Sequence, residues 1–215
     1  KSSLKSLTDI GYIIGIPVRY HDIKTLDKKF DLPMYEFHMS SNDLKLEPSE
    51  FFCKEEFKSK KLIVHCVEQY EDGFIIDLGS DCEDVRNMSI NRFKSFVEHV
   101  KSLSTFFDSK ERVPVVLNCG GHSQEKPLSN IDAIRKTRSI GKIVKELQSD
   151  YPYVNILAQT MPPFPWHQGG RSFHNCLSTI ENIYEYLEVS DQEICMDISH
   201  TALAANYFGF DLYNA

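Results

Sequence analysis

Six short apolar runs, separated by stretches of helical periodicity, constrain this chain more than any other feature. The runs are Tyr12–Val18, Met34–Met39, Leu62–Val67, Val113–Cys119, Val154–Gln159 and Ile194–Ile198. Several are almost continuously apolar, which suits strands covered on both faces, as in a parallel sheet. Between them the period changes. From Ser89 onward, Ile90, Phe93, Phe96, Val97, Val100, Leu103 and Phe106 fall three and four residues apart and make one apolar stripe. Ile140, Ile143, Val144 and Leu147 make a second. Ser178 and Glu181 have the spacing of a capping box ahead of Ile180, Ile183, Tyr184 and Leu187. Shorter helices are expected near Asp22–Phe30, within Lys45–Lys60 around Phe51 and Phe52, and over Thr201–Tyr207.

This β-α alternation predicts an α/β fold built on a parallel sheet. No G-x-G-x-x-G follows the first strand and no Walker lysine is present, so a nucleotide-binding doubly wound sheet is the weaker choice. A complete (β/α)8 barrel takes about 250 residues. Six units in 215 residues read as a TIM-type (β/α) barrel lacking its last two units. The expected domain is a single barrel over residues 1–215. The start at Lys1 and the Phe210–Ala215 ending suggest a piece of a longer polypeptide.

With 41% hydrophobic residues the chain can bury a sizeable core, and no run reaches the length of a membrane span. Its net charge of −7 disfavours an electrostatic grip on nucleic acid. The six cysteines are scattered without a C-x-x-C pair. They read as reduced thiols of a cytoplasmic protein, and nothing in their spacing supports a thiolate zinc site.

In α/β barrels the chemistry collects at the carboxyl ends of the strands. Here those ends carry Arg19, the pair Glu36 and His38, then His65, Asn118, Gln159, Asp197 and His200. Glu36 and His38 are two apart and so share a strand face. Each residue also has a plain structural reading: a histidine bonded into a wall, or Glu36 and His38 pairing with each other. The number of polar strand ends that coincide favours a shared site, because burying so many separately is costly. Asp197 and His200 are the best pair. Carboxylate and neutral imidazole are usual ligands of Zn²⁺ and Mn²⁺, with His65 and Glu36 in view as further donors. After the fifth run, "MPPFPWHQGGR" reads as a long structured loop at the rim. Its Trp166, His167 and Arg171 suit sugar stacking and anion pairing, or simply cover the barrel top.

The stretch "DISHTA" at Asp197–Ala202 resembles the D-x-x-H motif of xylose isomerase-like barrels, a group that includes AP endonucleases of family 2, sugar epimerases and hydroxypyruvate isomerases. Across nearly the whole chain, "GIPVRYHD", "YEFHMSSNDL", "VPVVLNCGGHS", "QTMPPFPWHQGGRSFHN" and "ICMDISHTALAANYFGFD" resemble the barrel appended to some bacterial N-acetylneuraminate (sialic-acid) synthases. That resemblance implies a synthase domain N-terminal to this one, in the same polypeptide, and a role in making sialic or other nonulosonic acids. It implies a sugar (phosphate) isomerase or epimerase with a divalent metal, Zn or Mn. The resemblance makes Asp197 a ligand, His200 a second ligand or a substrate contact, and His65 a match to the strand-3 histidine ligand. From their places at strand ends and in the rim loop, Glu36 and His38 are expected as the catalytic pair, and Arg19, Asn118, Gln159, Trp166, His167 and Arg171 as the substrate contacts. The chain departs from the pattern at Gln159, where active members present a glutamate. A neutral amide is a poor ligand and cannot take a proton. The alternative is therefore a non-catalytic sugar-binding or regulatory domain, with a DNA-repair endonuclease a weaker third. The expected partner is a small sugar, with no specific nucleic acid and no membrane; self-association into a homo-oligomer stays open.

Overall fold

The computed structural model describes residues 11–108, 110–164, 170 and 172–212. Trp166, His167 and Arg171 lie outside the described residues. The chain runs through β1 (Gly15–Val18), α1 (Ile23–Phe30), β2 (Met34–His38), a short 3-10 turn at Asp43–Lys45, α2 (Pro48–Phe51) and β3 (Lys61–His65). It continues through α3 (Glu83–Ser104), β4 (Val113–Leu117), β5 (His122–Gln124), α4 (Asn130–Asp150) and β6 (Val154–Gln159). It ends with β7 (Ser172–His174), α5 (Ile180–Ser190), β8 (Ile194–Cys195) and α6 (Ile198–Phe208).

Six strands form one parallel sheet in the order β1-β2-β3-β4-β6-β8. The spatial order follows the sequence order without a reversal. Because β-α-β crossovers are right-handed, an unreversed order puts every crossover helix on the same side and rolls the sheet toward a barrel. A doubly wound sheet would need a switch point, which this order lacks. Among the described residues β1 and β8 are the edges, so the barrel is open between them. Every one of the six expected strand runs joins this sheet, and each is followed by a helix.

The two faces of the sheet differ in chemistry. Tyr35, Phe37, Val64, Val113, Val115, Leu117, Val154, Ile156 and Ala158 are buried with the helix residues Phe93, Phe96, Val100, Leu103, Ile140, Val144 and Leu147 in one core. Its densest part is aromatic. Phe52 meets Phe37, Phe57, Phe106 and Phe107 with ring centroids 5.5–6.2 Å apart. Each fully buried ring stabilises the fold by about 1.5–3 kcal/mol. On α4, Gln148 closes the polar account where helix meets strand. Its amide donates to Val154 O at 2.8 Å and its oxygen accepts from Ile156 N at 2.9 Å. Gly141 lets α4 approach α5, since an added Cβ would sit 3.3–3.4 Å from Val189 and Ser190.

Several boundaries differ from the sequence expectation, and four of the differences have a clear local reason. The run Tyr12–Val18 becomes a strand only from Gly15, where pairing with Met34 begins, and Tyr12 and Ile13 stay exposed. The run Ile194–Ile198 stops at Cys195 because Asp197 caps a helix that already contains Ile198. Phe106 lies beyond the end of α3, in the turn leading to Phe107. The capping box of α5 is formed by Thr179 and Asn182 rather than Ser178 and Glu181. The Thr179 hydroxyl accepts from Asn182 N, and the Asn182 side chain accepts from Thr179 N.

A small second sheet, β5 with β7, is antiparallel and pairs His122 with His174. Asn175 pins it in place. Its amide donates to Gly121 O and Phe173 O, and its oxygen accepts from Leu128 N. All six cysteines are free: Cys66, Cys119 and Cys176 are buried, Cys195 is half-buried, and Cys53 and Cys82 are exposed. Among the described residues no helix is long and apolar enough to cross a membrane.

Candidate functional site

Parallel register puts partnered residues on the same face. Glu36 stands beside Ile63, His38 beside His65, His65 beside Val116, and Gln159 beside Cys195. This is the face opposite the helices, the inner face of the barrel. At the carboxyl end of the sheet it carries a continuous polar row. Glu36 Oε1 lies 2.8 Å from His38 Nε2. The His38 and His65 rings stack with centroids 4.6 Å apart and planes 24° from parallel. His65 Nε2 lies 3.1 Å from Gln159 Oε1, and Gln159 Nε2 donates to Asp197 Oδ2 at 3.2 Å. The row crosses β2, β3, β6 and the end of β8, and unites five of the residues singled out in the sequence.

Burial grades along the row. His65 and Gln159 are buried, whereas the Glu36 and His38 side chains keep 31% and 43% of their surface exposed. The wet end is therefore the carboxylate-imidazole pair. The His38 hydrogen bond, helped by the charge of the histidines, holds the Glu36 carboxyl below the usual glutamate range, against the opposing pull of burial and of Asp197. Glu36 is thus a carboxylate at neutral pH, a strong acceptor for a hydroxyl. Burial, together with the nearby Glu36 and Asp197 charges, pushes the Cys195 thiol up to about 11.

Asp197 and His200 have a structural job that explains their spacing. Asp197 is the N-cap of α6, and its Oδ1 accepts from His200 N at 2.9 Å. The D-x-x-H spacing is the spacing between a cap and the third helical residue. The His200 ring turns back, and its Nδ1 donates to Thr160 O at 3.0 Å. Thr160 completes the joint: its hydroxyl accepts from Asp197 N at 2.9 Å and meets the Thr201 hydroxyl at 3.0 Å.

The donor set does not suit a divalent metal. His65 Nδ1 faces Cys66 O at 3.0 Å, and a carbonyl only accepts, so Nδ1 donates. The Gln159 amide that gives its N–H to Asp197 turns its oxygen toward Nε2. Nε2, the other ring nitrogen, is taken up by the Gln159 side chain at 3.1 Å, so a cation could reach it only by displacing that amide. Among the described residues no three His, Cys, Asp or Glu side chains converge where a metal ion could sit.

Two predicted contacts hydrogen-bond to groups outside the row. Arg19 reaches Asp43 Oδ2 at 3.4 Å, and Asp43 is itself held by the Ser40 amide and hydroxyl. The Asn118 oxygen accepts from Gly120 N at 3.3 Å and supports the turn after β4. That turn belongs to a second polar cluster that the sequence did not announce. Half-buried Asp77 accepts from Gly79 N and Gly121 N at 3.0 and 2.7 Å, and desolvation raises its carboxyl above the usual range. Gly120 and Gly121 both have positive φ, and a Cβ on Gly120 would meet Asp77 Oδ1 at 2.5 Å. The His122 and His174 rings lie 4.3 Å apart in the same region. Only the Gly-Gly-His string hinted at it.

Fold and site together define an open TIM-type (β/α) barrel with a polar inner wall at the carboxyl ends of its strands. A solved structure of an L-ribulose 3-epimerase matches it with a TM-score of 0.50 at 12% identity, over 84% of this chain. The match covers 59% of that epimerase, so this chain spans somewhat more than half the length of its structural neighbour. At this identity the likeness is one of fold. No family model and no curated protein matches the chain.

Proposed function

We propose that this chain is a sugar isomerase- or epimerase-like barrel that binds a polyhydroxylated small molecule against the row Glu36, His38, His65, Gln159 and Asp197. The observation that carries the reading is the convergence of these side chains, from three strands and the start of α6, on the inner face at the carboxyl end. Sugar hydroxyls both donate and accept, and the row offers an ionised acceptor at Glu36 with imidazole and amide groups beyond it. Glu36 and His38 are the proton-transfer pair. The Glu36 carboxylate takes a proton from the carbon next to a sugar carbonyl, the carbonyl oxygen gains a proton from His38, and reversal of the step on the neighbouring carbon or opposite face completes the isomerisation. The resemblance noted in the sequence assigns the sugar to sialic or nonulosonic acid biosynthesis in the cytoplasm, with a synthase domain of the same polypeptide as partner.

The test is incubation with N-acetylmannosamine and related amino sugars in deuterated water, followed by NMR. Deuterium entering the carbon beside the carbonyl, with the rate lowered about 10²- to 10⁴-fold in Glu36→Gln, is the expected result. A second reading, sugar binding without turnover, has its own support. Gln159 cannot take a proton, and Glu36 is shifted away from the neutral range where a general base works best. Ligand-induced thermal stabilisation without any deuterium exchange would select that reading. Neither stabilisation nor exchange with any sugar would reject both.

A further inference from the structure

Gln159 stands at an unusual point of the row. One side of its amide faces an imidazole of β3, and the other faces a carboxylate from the start of α6, at 3.1 and 3.2 Å. An imidazole and a carboxylate brought from separate elements to a common neighbour are what zinc or manganese collects. Here the common neighbour is a neutral primary amide. Its N–H serves the carboxylate and its oxygen serves the ring. Gln159 is buried, so these bonds are shielded from water, and losing either would leave a buried polar group unsatisfied.

We infer that the Gln159 amide takes the place of a divalent cation on this wall, tying His65 to Asp197 as a metal would and thereby keeping one out. A cation entering between them would have to displace the Gln159 amide from both partners at once. The amide brings no formal charge, so Glu36 and Asp197 remain the negative charges of the wall and stay available to hydroxyl donors. Gln159 is thus a positioning residue: it fixes the spacing of His65 and Asp197 without touching the proton-transfer pair. The inference is independent of whether the wall turns a sugar over.

A single substitution reverses the situation. In Gln159→Glu the N–H toward Asp197 becomes a carboxylate oxygen, and two carboxylates then face each other beside His65 with nothing between them. That arrangement repels itself when empty and suits a dication when filled.

The experiment compares the wild-type chain with Gln159→Glu after dialysis against zinc or manganese chloride, using elemental analysis and thermal melts with and without chelator. The wild type is expected to retain no stoichiometric metal and to melt at the same temperature with chelator. Gln159→Glu is expected to hold about one equivalent of zinc, at least roughly tenfold more tightly than the wild type, and to lose both metal and thermal stability on chelation. Adding Asp197→Ala to it should abolish the metal. A Gln159→Glu chain that folds only with zinc present also supports the inference. Wild-type protein holding an equivalent of either metal that vanishes in Asp197→Ala overturns it. So does a Gln159→Glu chain that folds yet takes no metal, or one that zinc cannot fold.

Discussion

Asp197 gives one carboxylate oxygen to the first turn of α6 and the other to Gln159, so the charge and the cap can be separated by substitution. Asparagine caps a helix about as well as aspartate, and the Gln159 amide can turn over to meet it. Asp197→Asn should therefore leave urea-denaturation stability within about 0.5 kcal/mol of the wild type, while Asp197→Ala should cost about 1–2 kcal/mol. Equal losses in the two variants would show that the charge, not the cap, is what the fold uses. This is also where the sequence was ambiguous: D-x-x-H is equally the spacing of two ligands and of a cap with its amide, and only the direction of the His200 amide tells them apart. Glu36 gives a pH-dependent counterpart. Its folded value lies below its ordinary one, so its contribution to stability is present above about pH 4.5 and is lost as the pH falls through the lower folded value. His38→Ala removes the main cause of that shift. The variant should lose stability relative to the wild type at neutral pH, with the difference closing at acid pH once Glu36 is protonated in both states. Denaturation midpoints measured across pH 3–7 check this (a range set around the ordinary carboxylate value), and a difference that does not narrow in acid would contradict it.

The helices were legible where apolar spacing was long and less so at their ends. The stripes of α3 and α4 are plain because their buried residues repeat every three or four positions, whereas a cap depends on one backbone turn. Ser178 and Thr179 are both good caps by type. Thr179 prevails because Asn182 reaches back from the correct position, while the Ser178 hydroxyl is turned to Cys176 O at 3.2 Å. Asn182 has more than one role. Its oxygen accepts from both Ser178 N and Thr179 N at 3.0 Å, and its amide donates to Asn175 O at 2.9 Å. Asn182→Ala leaves those buried groups without partners and should cost about 2–4 kcal/mol, whereas Thr179→Ala should cost about 1 kcal/mol. Thermal melts of the two variants test the ranking, and a reversed order would mean that Asn182 is not the junction between α5 and the β5–β7 pair. That pair was invisible in the sequence. Strands of three residues carry too little periodicity to read, and what holds them is Asn175, whose partners are distant in the chain.

At the scale of the molecule the rhythm of runs was sufficient. Strand order follows chain order, and with crossovers of one hand the same-side placement of the helices needs no further information. The polar row on the inner face was half legible: Glu36, His38, His65, Gln159 and Asp197 could be named from strand ends. The way they satisfy one another depends on register between strands, which no single run encodes. The burial that gives the sheet its helix-facing core also sorts the thiols, and this turns the protein into its own unfolding clock. Cys53 and Cys82 face solvent, while burial pushes Cys66 and Cys119 well up and Cys176 to about 12. Since the thiolate is the reactive form, a chromogenic disulfide reagent at mildly alkaline pH should react with two sites at once, more slowly with Cys195, and with the remaining three only as fast as the sheet opens. Adding urea below the transition should accelerate that last phase alone. Prompt reaction of all six sites in native buffer would mean that the core admits solvent on the timescale of mixing.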